Sequence, residues 1–159
     1  MIHILENTNL LVWFENQKVP CAIAHQCNCF HTMGAGIARQ IAIKYPEALE
    51  ADKDTPYGDI KKLGLFSQSA VKGSKDKIIY NVYGQHRFGS EKRHTSYDAL
   101  VDGLTRVRFD CLENGLTKLG IPFNIGCRLG GGKWKIVRSI VETIFESAPP
   151  DLYICQYDP

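Results

Sequence analysis

The stretch AIAHQCNCFHTMGAGIARQIAIKYPEA, Ala22 to Ala48, decides the reading of the whole chain. Its opening, with Cys21 just before it, is an apolar run, Cys21 to Ala24, that reads as a short buried strand. The chain then passes Asn28 and crosses Gly34-Ala35-Gly36. Beyond the glycines, Ile37, Ala38, Ile41, Ala42 and Tyr45 recur at helical spacing. A strand, a glycine-bearing loop and a helix N-terminus therefore follow one another. The first turn of a helix has unpaired N–H groups and the positive end of the dipole, and glycine lets a ligand approach the backbone closely. Such a stretch can hold an anion, and phosphate is the first candidate. The competing reading is a turn that only joins a strand to a helix. A dinucleotide fingerprint is excluded because Arg39 stands where glycine or alanine is needed. A Walker loop is excluded near Gly126, because no Gly-Lys-Ser/Thr falls in register and Trp134 follows Lys133.

The rest of the chain is compatible with one domain over residues 1–159. With 44% hydrophobic and 23% charged residues and a net charge of +2, it reads as an ordinary soluble protein with a real core. No apolar run approaches the ~20 residues needed to cross a bilayer. The N-terminal residues Met1 to Glu6 lack signal-peptide character, so a cytoplasmic location is the expectation. Six cysteines, at 21, 27, 29, 111, 127 and 155, are expected as free thiols, with Cys21, Cys111 and Cys155 inside apolar segments.

Taken in order, Ile2 to Leu5 reads as a strand and Leu10 to Phe14 is open between strand and helix. Pro46 ends the first helix or starts a second over Glu47 to Ala51. Asp52 to Lys62 reads as surface loop. Leu63 to Val71 and Ile78 to Tyr83 form a hairpin. Gly84 to His94 is a loop, and Thr95 or Ser96 caps a helix carrying Tyr97, Leu100, Val101, Leu104, Val107 and Cys111 on one face, with Gly115 at its end. Ile121 to Ile125 reads as a strand, Gly126 to Gly132 as a second glycine loop, Trp134 to Phe145 as a helix and Leu152 to Tyr157 as the last strand. The alternation predicts an α/β protein with helices on both faces of a mixed sheet. Ligands in such sheets bind where strand ends open into loops. Two glycine loops, each between a strand and a helix, suit a ligand with more than one phosphate.

The motifs H-x-C-N-C, then G-x-G-I-A, then Y-P, with Phe123 to Trp134, FNIGCRLGGGKW, resemble the two ligand loops of macro domains, the ADP-ribose-binding modules. The resemblance runs from Ala22 to Tyr157. It is nearest to the yeast-type ADP-ribose 1″-phosphate phosphatases and related small phage and bacterial proteins, a branch that YGQHRFG followed by TSYDAL also resembles. It implies a three-layer α/β/α sandwich around a mixed, mostly parallel sheet of about six strands. It also implies that Asn28 meets the distal ribose, that Gly34, Ala35, Gly36 and Ile37 line the phosphates, and that Gly126, Cys127, Arg128, Leu129, Gly130 and Gly131 close over the diphosphate. Tyr157 would stack on adenine, and Asn9 would receive its edge. One hydrolase branch uses a lysine and an aspartate at places held here by Gln85 or His86 and by Gly130, which argues against that chemistry. Lys133, where relatives are often acidic, suits a more negative ligand or is a solvated surface lysine.

Terminal-phosphate removal needs oxyanion donors, a water and a proton donor. The glycine loops offer the first. His86, beside Gln85, is the leading proton carrier, with His25 and Asn28 as the other candidate catalytic residues. For His25 the alternative is a strand-end histidine tied into the core, and His31 reads as a rim residue. A C-x5-R phosphatase loop is absent, since Lys133 stands six after Cys127. His25, Cys27, Cys29 and His31 alternate along a strand at about 6.5–7 Å per step, too spread for one zinc with ligands at about 2.3 Å. No metal and no cofactor is expected. The basic residues near 72–77 and 87–93 are interrupted by Asp76 and Glu91, so a nucleic-acid partner is not the expectation. The expected partners are ADP-ribose or ADP-ribose 1″-phosphate and ADP-ribosylated proteins. Three readings stay open: a phosphatase of ADP-ribose 1″-phosphate first, then a non-catalytic ADP-ribose binder, then a hydrolase that detaches ADP-ribose from protein or nucleic acid.

Overall fold

A computed structural model describes residues 1–89, 91–147 and 149–158. Six strands form one sheet: β1 (Ile2–Leu5), β2 (Cys21–Cys27), β3 (Phe66–Ala70), β4 (Lys77–Tyr83), β5 (Lys118–Pro122) and β6 (Asp151–Cys155). Their spatial order is β1-β6-β5-β2-β4-β3. Every neighbouring pair is parallel except the β3–β4 hairpin, which puts an antiparallel strand at one edge. The α/β fold with a mixed six-stranded sheet is as the sequence predicted.

Helices cover both faces, and the alternation of β2 divides the core between them. Ala22 and Ala24 pack with α4 (Tyr97–Glu113) and α5 (Trp134–Phe145), in a cluster that includes Leu104, Val137 and Phe145. Cys21, Ile23 and Cys27 pack on the opposite face with α1 (Leu10–Glu15), α2 (Gly36–Lys44) and α3 (Pro46–Lys53). The ambiguous run Leu10 to Phe14 is a helix because Asn9 caps it. The Asn9 Oδ1 accepts from the N–H groups of Leu11 (3.0 Å) and Val12 (3.2 Å). Ser96 caps α4 through Ala99 N–H, and Pro46 occupies the first turn of α3.

Several boundaries differ from the sequence reading. β2 runs on to Cys27, β3 begins only at Phe66, and β5 covers Lys118–Pro122 rather than Ile121 to Ile125. β6 stops at Cys155. The expected loop over 84–94 contains Ser90, which lies outside the described residues. The segment from Asp52 to Lys62 is not simply surface loop: Asp52 is 1% and Lys62 5% exposed. Lys62 stays buried because its Nζ donates to Thr55 Oγ1 at 3.0 Å and sits 4.9 Å from the centre of the Tyr83 ring. Among the described residues no helix is long and apolar enough to cross a membrane.

β2 pairs with β4 along its full length, Cys21↔Lys77 to Cys27↔Tyr83. With β5 it pairs only from Cys21↔Lys118 to Ile23↔Gly120. The carboxyl half of β2 is thus left without a strand on that side. The chain also reverses its winding here, since β3 and β4 lie to one side of β2 and β5 and β6 to the other, which is where open α/β sheets place ligands.

Gly120 sets how closely α1 lies on this region. A Cβ there would fall 2.5 Å from Trp13 Cζ3 and 2.9 Å from Leu10 Cδ1. Gly120→Val is expected to lower stability by about 1–3 kcal/mol through overpacking, read from urea unfolding.

Candidate functional site

A cavity of about 720 Å³ opens at the carboxyl ends of β2 and β5. Its first wall is the loop after β2 with the start of α2. Asn28 closes the loop on itself, its Oδ1 accepting from Phe30 N–H at 2.8 Å and its Nδ2 donating to Thr32 Oγ1 at 2.6 Å. One Nδ2 hydrogen remains free for a ligand. Gly36 adopts φ +57°, which turns the chain into α2, and Ala35 before it supplies no side-chain cap. The first-turn N–H groups of Gly36, Ile37 and Ala38 are therefore available beside the cavity they line.

The second wall is the loop after β5. Asn124 at φ +65° and Gly126 at φ +74° fold it back. Its shape is held from outside by Thr95, whose Oγ1 donates to the Gly126 carbonyl at 2.6 Å and whose N–H donates to the Gly130 carbonyl at 2.9 Å. Gly132 N–H closes onto the same Gly126 carbonyl at 2.9 Å. Among the described residues, the N–H groups of Gly126, Arg128, Leu129 and Gly130 have no protein acceptor. Gly130 admits no side chain: a Cβ would collide with Thr95 Oγ1 and lie 2.8 Å from the Gly126 carbonyl oxygen.

Gln26, on the half of β2 that β5 does not reach, ties the segment after β4 to the Thr95 that holds the second wall. Its Nε2 donates to Gln85 Oε1 at 2.7 Å and to Thr95 Oγ1 at 2.8 Å. Gln85 in turn donates to the Arg87 carbonyl at 2.7 Å. Leu129 and Tyr157 line the cavity and are half exposed. Arg128 lines the cavity and lies 3.7 Å from the Asp158 carboxylate.

Of the residues singled out from sequence, Asn9, Asn28, Gly34, Ala35, Gly36, Ile37, Gln85, Gly126, Arg128, Leu129, Gly130 and Tyr157 all line this cavity. Four do not. His25 is fully buried on the α3 side of the sheet, with Nε2 2.7 Å from Asn81 Oδ1 and the Cys27 thiol 3.7 Å away. It takes the core alternative. Burial lowers its pKa to about 4, so it is neutral at pH 7. His86 turns away: its Nε2 lies 2.8 Å from the Gly58 carbonyl oxygen and its ring packs 5.0 Å from Phe30. Cys127 points into the α4–α5 core, its thiol on the Ile125 carbonyl and its pKa pushed up to about 11 by burial. Gly131, at φ +75°, backs onto Arg93, whose Cα would lie 3.0 Å from a Cβ there. It shapes the loop and is not among the residues that line the cavity. All six cysteines are free, and among the described residues no group of three metal-ligating side chains converges.

Sequence reasoning missed Gln26, Asp52, Phe88 and Asn124, which also line the cavity. A signal for Asp52 existed: it stands four residues after the buried Ala48, on the inward face of α3. Gln26 likewise continues the alternation of Ala22 and Ala24.

No protein-family model matches the chain. An uncharacterized 17.5 kDa protein of the tk-vs intergenic region of enterobacteria phage T4 is 36% identical over 140 residues, 86% of each chain. The bovine ADP-ribose glycohydrolase OARD1 is 31% identical over 125 residues, 79% of this chain and 73% of the bovine one. Among solved structures, the macrodomain of Mycobacterium tuberculosis DarG superposes with a TM-score of 0.73 at 22% identity, over 100% of this chain and 99% of the other.

The burial of His25 predicts a pH dependence. Its pKa falls from 6.5 to about 4 on folding, so the unfolded chain binds more protons between those values. Stability is then full above about pH 6.5 and is lost as pH falls towards 4, by on the order of 3 kcal/mol for this residue. Asp52, whose pKa burial raises, works in the opposite sense. Comparison with a His25→Gln variant isolates the histidine: the difference between the two unfolding curves is expected to shrink as pH falls from 7 to 5.

Proposed function

The chain belongs to the macro domain family, and from that premise we propose that it is an ADP-ribose-directed hydrolase acting on a bond to C1″ of the terminal ribose. The observation that carries this reading is the pair of glycine loops facing each other across one cavity, each with N–H groups that no atom of the described residues accepts. Two opposed sets of backbone donors suit a diphosphate, whose oxygens accept from both sides. The α2 N-terminus takes one phosphate and the Gly126–Gly130 turn the other. The adenosine end then lies against Tyr157 and Leu129. There, Asn9 offers only its Nδ2, because its carbonyl oxygen caps α1.

The terminal ribose falls at Asn28 and Gln85. Anchoring the diphosphate this way fixes C1″ against the first loop, so much of the rate enhancement comes from orientation. Water attacks C1″, the bond to the leaving oxygen breaks, and the free Asn28 Nδ2 hydrogen holds a ribose hydroxyl in place. The name of the bovine relative, an ADP-ribose glycohydrolase, supports a glycosyl linkage as the bond cut. Removal of the phosphate of ADP-ribose 1″-phosphate is the second reading. The donor-rich loops favour it. The histidines expected to move its proton, His25 and His86, lie outside the cavity and leave it without that donor.

The deciding assay incubates the protein with an ester-linked ADP-ribosylated protein and, separately, with ADP-ribose 1″-phosphate. Chromatography should find free ADP-ribose from the former, with kcat at least tenfold lower in Asn28→Ala. Phosphate release alone would select the second reading. Ligand binding without turnover of either substrate would leave a binding module. Gly130→Ala is expected to weaken ADP-ribose binding at least tenfold in calorimetry, because the loop must move to clear Thr95.

A further inference from the structure

One carboxyl group faces the cavity that the proposed chemistry does not use. Asp52, near the end of α3, is 1% exposed and lines the cavity with Cys27, Asn28, Thr32 and Met33. Its two oxygens are not equivalent. Oδ1 accepts from the Tyr83 hydroxyl at 2.7 Å. Oδ2 is buried and has no hydrogen-bond partner among the described residues. An orphaned carboxylate oxygen at the wall of a binding cavity is costly unless something delivers a hydrogen to it.

The hydrogen bonds behind Asp52 run in one direction. Tyr83 gives its one hydroxyl hydrogen to Asp52, so the Ser67 hydroxyl donates to Tyr83 Oη at 2.8 Å, and Asn81 Nδ2 donates to Ser67 Oγ at 3.0 Å. His25 Nε2 faces the other end of Asn81 at 2.7 Å. The chain terminates on Asp52 and fixes the carboxyl plane. Oδ2 is then the buried, unpartnered acceptor behind the first-loop end of the cavity.

We propose that Asp52 is a specificity-determining residue: its Oδ2 accepts a hydrogen from the group at the terminal ribose, so the site takes ADP-ribose ending in a hydroxyl and turns away one ending in a phosphate. A ribose hydroxyl or a water can donate. A phosphate dianion presents only acceptors and a like charge. The inference rests on the ADP-ribose reading above and names which form of that ligand the site selects.

The groups facing Asp52 set its titration. Tyr83 lies on β4, Cys27 on β2, Cys29 and His31 on the first loop, Lys62 on the short turn after α3, and Lys53 beside it. Burial raises its pKa, against the lowering influence of Tyr83, His31, Lys62 and Lys53. Once protonated, Asp52 can donate to a phosphate, so discrimination should weaken as pH falls.

The test is calorimetric titration of the full chain and of Asp52→Asn with ADP-ribose and with ADP-ribose 1″-phosphate. Asparagine keeps the acceptor for Tyr83 and replaces Oδ2 with a donor. The wild-type protein should bind ADP-ribose at least tenfold tighter than the 1″-phosphate, and Asp52→Asn should bring the two within threefold. A ratio unchanged in the variant, or a wild-type protein that binds the phosphate equally or better, overturns the role of Asp52 and leaves ADP-ribose binding standing. Binding of neither ligand by the wild-type protein removes the ADP-ribose reading and this inference with it. Should the variant not fold, the wild-type ratio between pH 8 and 5 decides. It should narrow by more than the ligand phosphate's own protonation accounts for, and a ratio that follows that protonation alone overturns the proposal.

Discussion

The parting of β2 from β5 after three paired residues is the constraint on which the site depends. Everything at the functional end follows from it. If the two strands paired to their ends, the carboxyl half of β2 would be spent on ladder hydrogen bonds and the two loops could not face each other. Because they part, Gln26 stands at the gap, where its side chain meets Gln85 after β4 and Thr95, which holds the second glycine loop. The packing that holds β5 in place is local: Gly120 lets Trp13 and Leu10 sit directly on the strand. The asparagine cap that makes α1 a helix also sits at the cavity wall. One short helix therefore links the core to the ligand end.

Much of this was legible in the chain. Periodicity located α4 and α5 closely, and the α/β alternation gave the layered sheet. The two glycine loops were readable because glycine before a helix has a local meaning that needs no tertiary context. The strand ends were less readable. β5 was placed three residues late, since Phe123 and Ile125 are as apolar as the strand itself yet belong to the loop that leaves it. Leu10 to Phe14 could not be assigned from its run of apolar residues, and only the capping bond of Asn9 resolves it.

The histidines show where sequence reasoning gives out. His25 and His86 both stand beside ligand-loop residues in the chain, and each has the right chemistry for proton transfer. Direction decides instead. His25 belongs to the strand face opposite Gln26, so it points under α3, while His86 is drawn to the Gly58 carbonyl and the Phe30 ring. Asp52 is the converse case. A polar segment with Pro56 and Gly58 reads as solvated loop, but the carboxylate is drawn inward by Tyr83, a partner thirty-one residues away. The four-residue step from Ala48 marks only the inward face of α3; the contact with Tyr83 itself leaves no trace in local spacing.

The crowding around Gln26 and Thr95 has an evolutionary side. A Cβ at Gly84 would strike the Gln26 side chain, one at Gly126 would meet Gln26 and Thr95, and one at Gly130 would strike Thr95 and Gln26 Nε2. The space a side chain would need at these three glycines is filled chiefly by Gln26 and Thr95, with Leu100 and the Gly126 carbonyl adding to it. A smaller residue in place of Gln26 would ease Gly84 yet leave Gly130 blocked by Thr95 and the Gly126 carbonyl, and at Gly126 the φ of +74° still disfavours any other residue. A side chain gained at any of these positions therefore calls for accompanying changes in the neighbours that crowd it.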